Sequence, residues 1–192
     1  MSEQIDLTDH GPAPYVVDIE SATLQNSNYR STLWTGTNLQ LTVMAIAPGD
    51  DIGLEVHEDH DQFIRVEEGR GRAQMGPAED DLSFDREVGD DDIIMVPAGQ
   101  WHNVTNIGDV PLKVYSLYGP PEHVHGTVHA TKADQDADPN AHGSRRRVGP
   151  ASWWVPPFLT LARRPPGPEE EAVRGRRLEG QGPPFVMWWR VR

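Results

Sequence analysis

The stretch GLEVHEDHDQFIRVEEG, residues 53–69, gathers side chains able to ligate a metal or move a proton. Where it runs extended, Glu55 and His57 project to one face, because side chains alternate with period two along a strand. A turn through Glu58 and Asp59 brings Gln62 back to face them. A second stretch, DIIMVPAGQWHNVTN, sets His102 shortly after a Pro97-x-Gly99 turn, with Asn106 on the same face further along. Glu55, His57, Gln62 and His102 are oxygen and nitrogen donors of the kind that suit divalent Fe, Mn, Ni, Co or Zn. Such groups converging inside an apolar shell cost several kcal/mol if left unpaired, and a cation is the simplest compensation.

Positioning these residues requires strands. Between positions 12 and 131, short β-type runs recur roughly every ten residues, separated by turn signals. Leu39, Leu41 and Val43 alternate with Gln40, Thr42 and Met44 before Pro48-Gly49 breaks the run. Runs at 62–67, 93–96 and 112–118 stop at Gly69 and Gly71, at Pro97 to Gly99, and at Gly119-Pro120-Pro121. Residues 15–19 and 31–35 are further strand candidates. No long helical period appears, so the expected class is all-β, a sandwich or barrel. The acidic stretch 78–92, with its low apolar count, is expected to be a hairpin excursion forming a solvated loop.

The 192 residues carry a formal charge of −13, and no cysteine occurs. Disulfide scaffolds, thiolate zinc sites and cysteine nucleophiles are therefore excluded. Nucleic-acid binding is disfavoured, since phosphate neutralisation needs excess basic surface. No apolar run approaches a membrane-spanning length, and the polar N-terminus does not resemble a signal peptide; a cytoplasmic protein with no membrane contact is expected. The charge is unevenly spread. Residues 1–137 hold 25 acidic and 7 basic residues, whereas residues 138–192 hold 5 acidic residues and 10 arginines. That second segment also carries 9 of the 17 prolines, with tryptophans paired at 153–154 and 188–189. Residues 132–192 are read as a mostly disordered Pro/Arg/Trp-rich tail, its one helix candidate lying near 169–177. Such text is also what an out-of-frame extension would give.

With these residues in view, the segment 12–131 resembles the cupin superfamily, small single-domain proteins of the cupin-2 type. The family's first motif reads His-x-His, three or four residues, Glu, six residues, Gly. Here Glu55 and His57 stand at the two histidine places, Gln62 at the glutamate place and Gly69 at the glycine. The second motif, Pro-x-Gly-x-x-His-x-x-x-Asn, is matched by Pro97, Gly99, His102 and Asn106. The resemblance implies a small antiparallel β-barrel, the double-stranded β-helix or jelly roll, with a divalent transition metal inside and a homodimeric assembly. One carboxylate is kept but moved, so a divalent ion would retain a net charge near +1, as in the usual site. The preferred set has all four residues as ligands; alternatively Glu55, His57 and His102 form a two-His, one-carboxylate face with Gln62 donating to bound water or substrate.

His60, among Glu58, Asp59 and Asp61, could replace Gln62 but is expected to be solvated. Asn106 is read as a backbone-bonding turn residue. His123, His125 and His129 could form a second metal pair or a lid, but no carboxylate is fixed beside them by spacing. Arg65 is expected to face away from Gln62. The expected activity is that of a metalloenzyme on a small organic substrate, of dioxygenase or isomerase/lyase type; the alternative is a non-catalytic barrel binding a sugar or metabolite. Few basic residues adjoin the motifs, only Arg65, Arg70 and Arg72, and this disfavours a phosphorylated sugar.

Overall fold

The computed structural model describes residues 4–141, and the Trp pairs and the helix candidate of the C-terminal segment lie outside them. The elements run α1 (Ile19–Gln25), β1 (Arg30–Thr35), β2 (Gln40–Ile46), β3 (Glu55–Val56), β4 (Asp61–Glu68), β5 (Gly71–Gly76), β6 (Phe84–Val88), β7 (Ile93–Val96), β8 (Trp101–Asn106), β9 (Leu112–Gly119), β10 (Val128–His129) and α2 (Lys132–Ala137). Ten strands with two short helices make an all-β fold. They form a six-stranded sheet ordered β10-β1-β2-β9-β4-β7 and a four-stranded sheet ordered β3-β8-β5-β6, with antiparallel pairings throughout. This is a double-stranded β-helix, the fold that the resemblance implied.

The strand candidates at 31–35, 62–67, 93–96 and 112–118 fall within β1, β4, β7 and β9. Two expectations are corrected. Residues 15–18 are not a strand, and Ile19 opens α1 instead. The cause is local: the Asp18 carboxylate accepts from Ser21 N at 3.1 Å, capping the helix and outcompeting extension. The acidic stretch 78–92 is not simply a loop, since it contains β6. Its alternating acids Asp85 and Glu87 meet Arg72 of β5 and Arg70 just before it, so ion pairs offset the low apolar content of this edge strand. Helix α2 lies just past the boundary read from sequence at 131, closed by a capping box between Thr131 and Asp134.

The sheet interior is graded from apolar to polar. Register places Arg30, Met44, Val114 and Val66 in one cross-sheet row. The next inward row holds Thr32, Thr42, Ser116 and Ile64, and the next Gln40, Tyr118, Gln62 and Val96. A buried apolar cluster including Met44, Ile46, Ile64, Val66, Val104, Leu112 and Val114 fills one end. Toward the Gln40–Tyr118–Gln62 row the lining becomes polar while remaining buried. A second apolar layer covers the outside of the large sheet, where Leu33 and Val43 pack with Ala22, Ile5, Leu7, Tyr15 and Val17.

Candidate metal centre

Glu55 is on β3, Gln62 on β4 and His102 on β8, with His57 just past the end of β3. Register sets Glu55 directly across from His102, so the two short-range motifs meet in one sheet. Gly99, at φ 76°, adopts a left-handed conformation that glycine takes without strain. Its N–H donates to the His57 carbonyl at 2.7 Å, tying the second motif's turn to the first motif's histidine. Asn106 is fully engaged with backbone: its amide donates to Ile46 O and Val110 O at 2.8 Å each, and its oxygen accepts from Gly108 N.

The four side chains converge and are shielded from solvent. Glu55 Oε1 lies 3.5 Å from His57 Nε2 and 3.4 Å from His102 Nε2, and Gln62 Oε1 lies 2.9 Å from His102 Nε2. Ligand atoms about 2.1 Å from a common ion sit roughly 3.0–3.4 Å apart in octahedral or tetrahedral geometry, so these separations fit a shared cation. The hydrogen-bond chemistry agrees. His102 Nδ1 faces Gln100 O at 3.1 Å while its Nε2 faces the Gln62 oxygen, two acceptors on a ring with a single N–H when neutral. A cation on the Nε2 side resolves that mismatch. His57 Nε2 is likewise buried without a hydrogen-bond partner among the described residues. Burial alone would push the Glu55 carboxyl up, but the His102 and His57 rings and the Arg30 guanidinium hold it well below the usual carboxylate range. Burial lowers His57, and Glu55 and Glu122 outweigh it and raise it.

His60 departs from the solvated loop expected of it. Its side chain is buried, stacked on His57 at a 4.5 Å centroid distance, with Nδ1 2.8 Å from Asp59 and Nε2 3.6 Å from Glu122. The acids around it in sequence face solvent while the ring turns inward under Glu122. His57, His60 and Glu122 thus form a second group of ligand atoms within 4.8 Å of one another, beside Glu55, His57 and His102. His123, His125 and His129 do not join in any such group among the described residues. His123 is held by Arg30 and Ala141 O, His125 is exposed near Gly11 O, and His129 pairs with Asp138. Arg65 lies on the outer surface with Glu67 and Asp91.

Sequence reasoning missed three residues of this chamber: Arg30, Tyr118 and Glu122. Tyr118 carried a readable signal, the alternation of 112–118 that gives it the inward face of Val114. Its ring stands edge-on to His57 at 5.9 Å and to His123 at 5.1 Å, and burial pushes its hydroxyl up to about 12. Arg30 and Glu122 arrive from opposite ends of the barrel sequence. A cavity of about 630 Å³ opens between β6 and β7 and is lined in part by Met75 and Gln100, both neighbours of His102.

Comparisons with known proteins bear on the family to which this fold belongs. Residues 42–118 match the family model described as the cupin domain, Cupin_2. The Bacillus subtilis protein YrkC is 56% identical over 128 residues, covering 67% of this chain and 69% of its own. A protein of Acanthamoeba polyphaga mimivirus is 33% identical over 136 residues, 70% of this chain and 79% of its own. A crystal structure from Bacillus halodurans superposes with a TM-score of 0.68 at 59% identity, covering 68% of this chain and 99% of that one. In motif, fold and kinship alike, the chain belongs to the cupin-domain family.

Proposed function

We propose that the barrel holds one divalent transition metal on Glu55, His57, Gln62 and His102, and that the protein is a metalloenzyme acting on a small organic molecule. The observation that carries this is the convergence of a buried carboxylate, two imidazoles and an amide oxygen at separations suited to one ion. Such an ion polarises a carbonyl as a Lewis acid or offers a site for O₂, which leaves isomerase/lyase and dioxygenase chemistry as the two classes to assay. The chain's own residues do the rest: Tyr118 and His60 close the chamber against water, and Gln100 O fixes the His102 ring.

Elemental analysis of full-length protein purified without added metal tests the reading, with about one Fe, Mn, Ni, Co or Zn per chain expected. His57→Ala with His102→Ala abolishes retention, and His60→Ala leaves it nearly intact. The neighbouring His57–His60–Glu122 group supports a second reading, in which the ion sits one step outward. Glu122→Ala then releases the metal, whereas in the first reading Glu55→Ala does. A metal-free protein that takes up none of these ions favours the binding-module alternative.

Exposed Phe84, Ile93 and Met95 on β6 and β7 support the homodimer expected of the family. Light scattering of wild type against Ile93→Glu/Met95→Glu should show a dimer becoming a monomer; a wild-type monomer removes the dimer from the reading. Among the described residues no helix is long and apolar enough to cross a membrane.

A further inference from the structure

Arg30 is among the largest fully buried side chains of the molecule, at 1% exposure. A guanidinium taken out of water is costly unless a carboxylate or a full set of acceptors meets it. Here one amine donates to His123 Nε2 at 3.1 Å and another contacts the Met44 sulfur at 3.5 Å. No carboxylate among the described residues forms an ion pair with it within 4.0 Å, and its Nε is buried without a hydrogen-bond partner. By donating to Nε2, Arg30 fixes His123 as the tautomer whose Nδ1–H donates to Ala141 O, which locks the guanidinium in place. Two hydroxyls share its condition: Thr42 Oγ1 and Tyr118 OH are both buried with no hydrogen bond among the described residues. Thr42 lies one inward row from Arg30, and Tyr118 lies between His123 and His57. Tyr118 stands edge-on to the His57 ring and Arg30 acts electrostatically on Glu55, so both reach the candidate ligands, with Thr42 on the same interior face as Gln40.

We infer that Arg30, with Tyr118 and Thr42, forms the recognition site for a small organic carboxylate, which names the substrate class of the centre proposed above. The inference rests on that centre for its charge balance. Among the described residues, a divalent ion beside Glu55, Glu122 and Arg30 gives a sum of one positive charge, which a monoanion neutralises. A planar carboxylate matches the fork of a guanidinium, and the phenol and threonine hydroxyls supply the remaining donors. The acidic exterior does not oppose this, since buried donors act at contact distance whereas the outer field is screened by salt.

The test uses the full-length protein, metal-free and loaded with zinc, with metal content measured on each sample. Pyruvate, its neutral amide and inorganic phosphate are titrated while the Arg30 Nε–H resonance is followed by NMR. Pyruvate should move that resonance saturably, the amide at least about tenfold more weakly, in line with the strength of charge-assisted hydrogen bonds. Arg30→Lys should weaken binding about tenfold or more and Tyr118→Phe roughly threefold or more, with metal content unchanged in both. Should Arg30→Lys fail to fold, Tyr118→Phe and the wild-type resonance carry the test. A resonance indifferent to pyruvate in folded, zinc-bearing protein overturns the proposal. Equal binding of the amide, or tighter binding of phosphate, overturns it as well. Absence of zinc uptake overturns the metal centre and, with it, the charge balance on which this inference rests, whereas indifference to pyruvate with zinc bound overturns the inference alone.

Discussion

Asp9 shows how one side chain can hold three segments together. Its carboxylate accepts from Thr35 N at 2.9 Å, Thr35 Oγ1 at 2.6 Å, Gly11 N at 3.0 Å and Gly126 N at 3.1 Å, joining the N-terminal strap, β1 and the loop before β10. Burial pushes this carboxyl up, but the hydrogen bonds from Thr35, Gly126 and Gly11 outweigh it and hold the group below its ordinary value. A folded-state value below the unfolded one stabilises the protein above the unfolded value and ceases to do so as pH falls through the folded one. Asp9→Asn should therefore cost about 1–2 kcal/mol near neutrality, with the gap to wild type closing below about pH 4. Urea melts at pH 7 and at falling pH below about 4 check this; a gap that does not narrow on that descent refutes it. The candidate ligands were legible in sequence because their partners are near in register or fixed by a turn. Arg30 was not, since what makes it unusual is the company of Met44 and His123, and burial without a carboxylate is a property no local pattern announces.

Among the elements, β2 explains why strands could be found and yet their facing could not be assumed. Its aliphatic residues Leu41 and Val43 face the outer N-terminal layer, while Gln40 and Thr42 point into the barrel. Alternation locates a strand but does not say which face is inside when both are covered. The same limit hid β6, whose charged alternation mimics a loop until Arg70 and Arg72 are set opposite. The turn at Gly99 is the element-scale device with the clearest consequence for the centre. Placing a β-branched side chain at its φ of 76° strains the backbone and pulls at the N–H that holds His57. Gly99→Val should lose about 1–2 kcal/mol of stability and weaken metal retention severalfold. Asn106→Ala, by contrast, removes three buried hydrogen bonds at the other end of β8. It should cost about 2–3 kcal/mol while metal content per folded chain stays constant. Melting curves paired with elemental analysis separate the two.

For the molecule as a whole, the apolar cluster at one end of the barrel contains none of the four candidate ligands. This apolar core is expected to hold the shape of the domain without an ion. Chelation should leave the far-ultraviolet circular dichroism unchanged and lower the Tm by about 5–10 °C, the effect of withdrawing a ligand held near a hundredfold above its Kd. Collapse of the spectrum would show that the ion is part of the scaffold.

If the proposed centre is built before its ion arrives, the fold gives it no means of refusing the wrong one. Copper and zinc outrank manganese and iron for nitrogen and oxygen donors of this kind, whichever of them the chemistry requires. Occupancy is then governed by which ion the surroundings keep available when the chain is made. Protein produced in different hosts or media should carry different metals in the same barrel, and activity would follow the metal supply more closely than the protein yield.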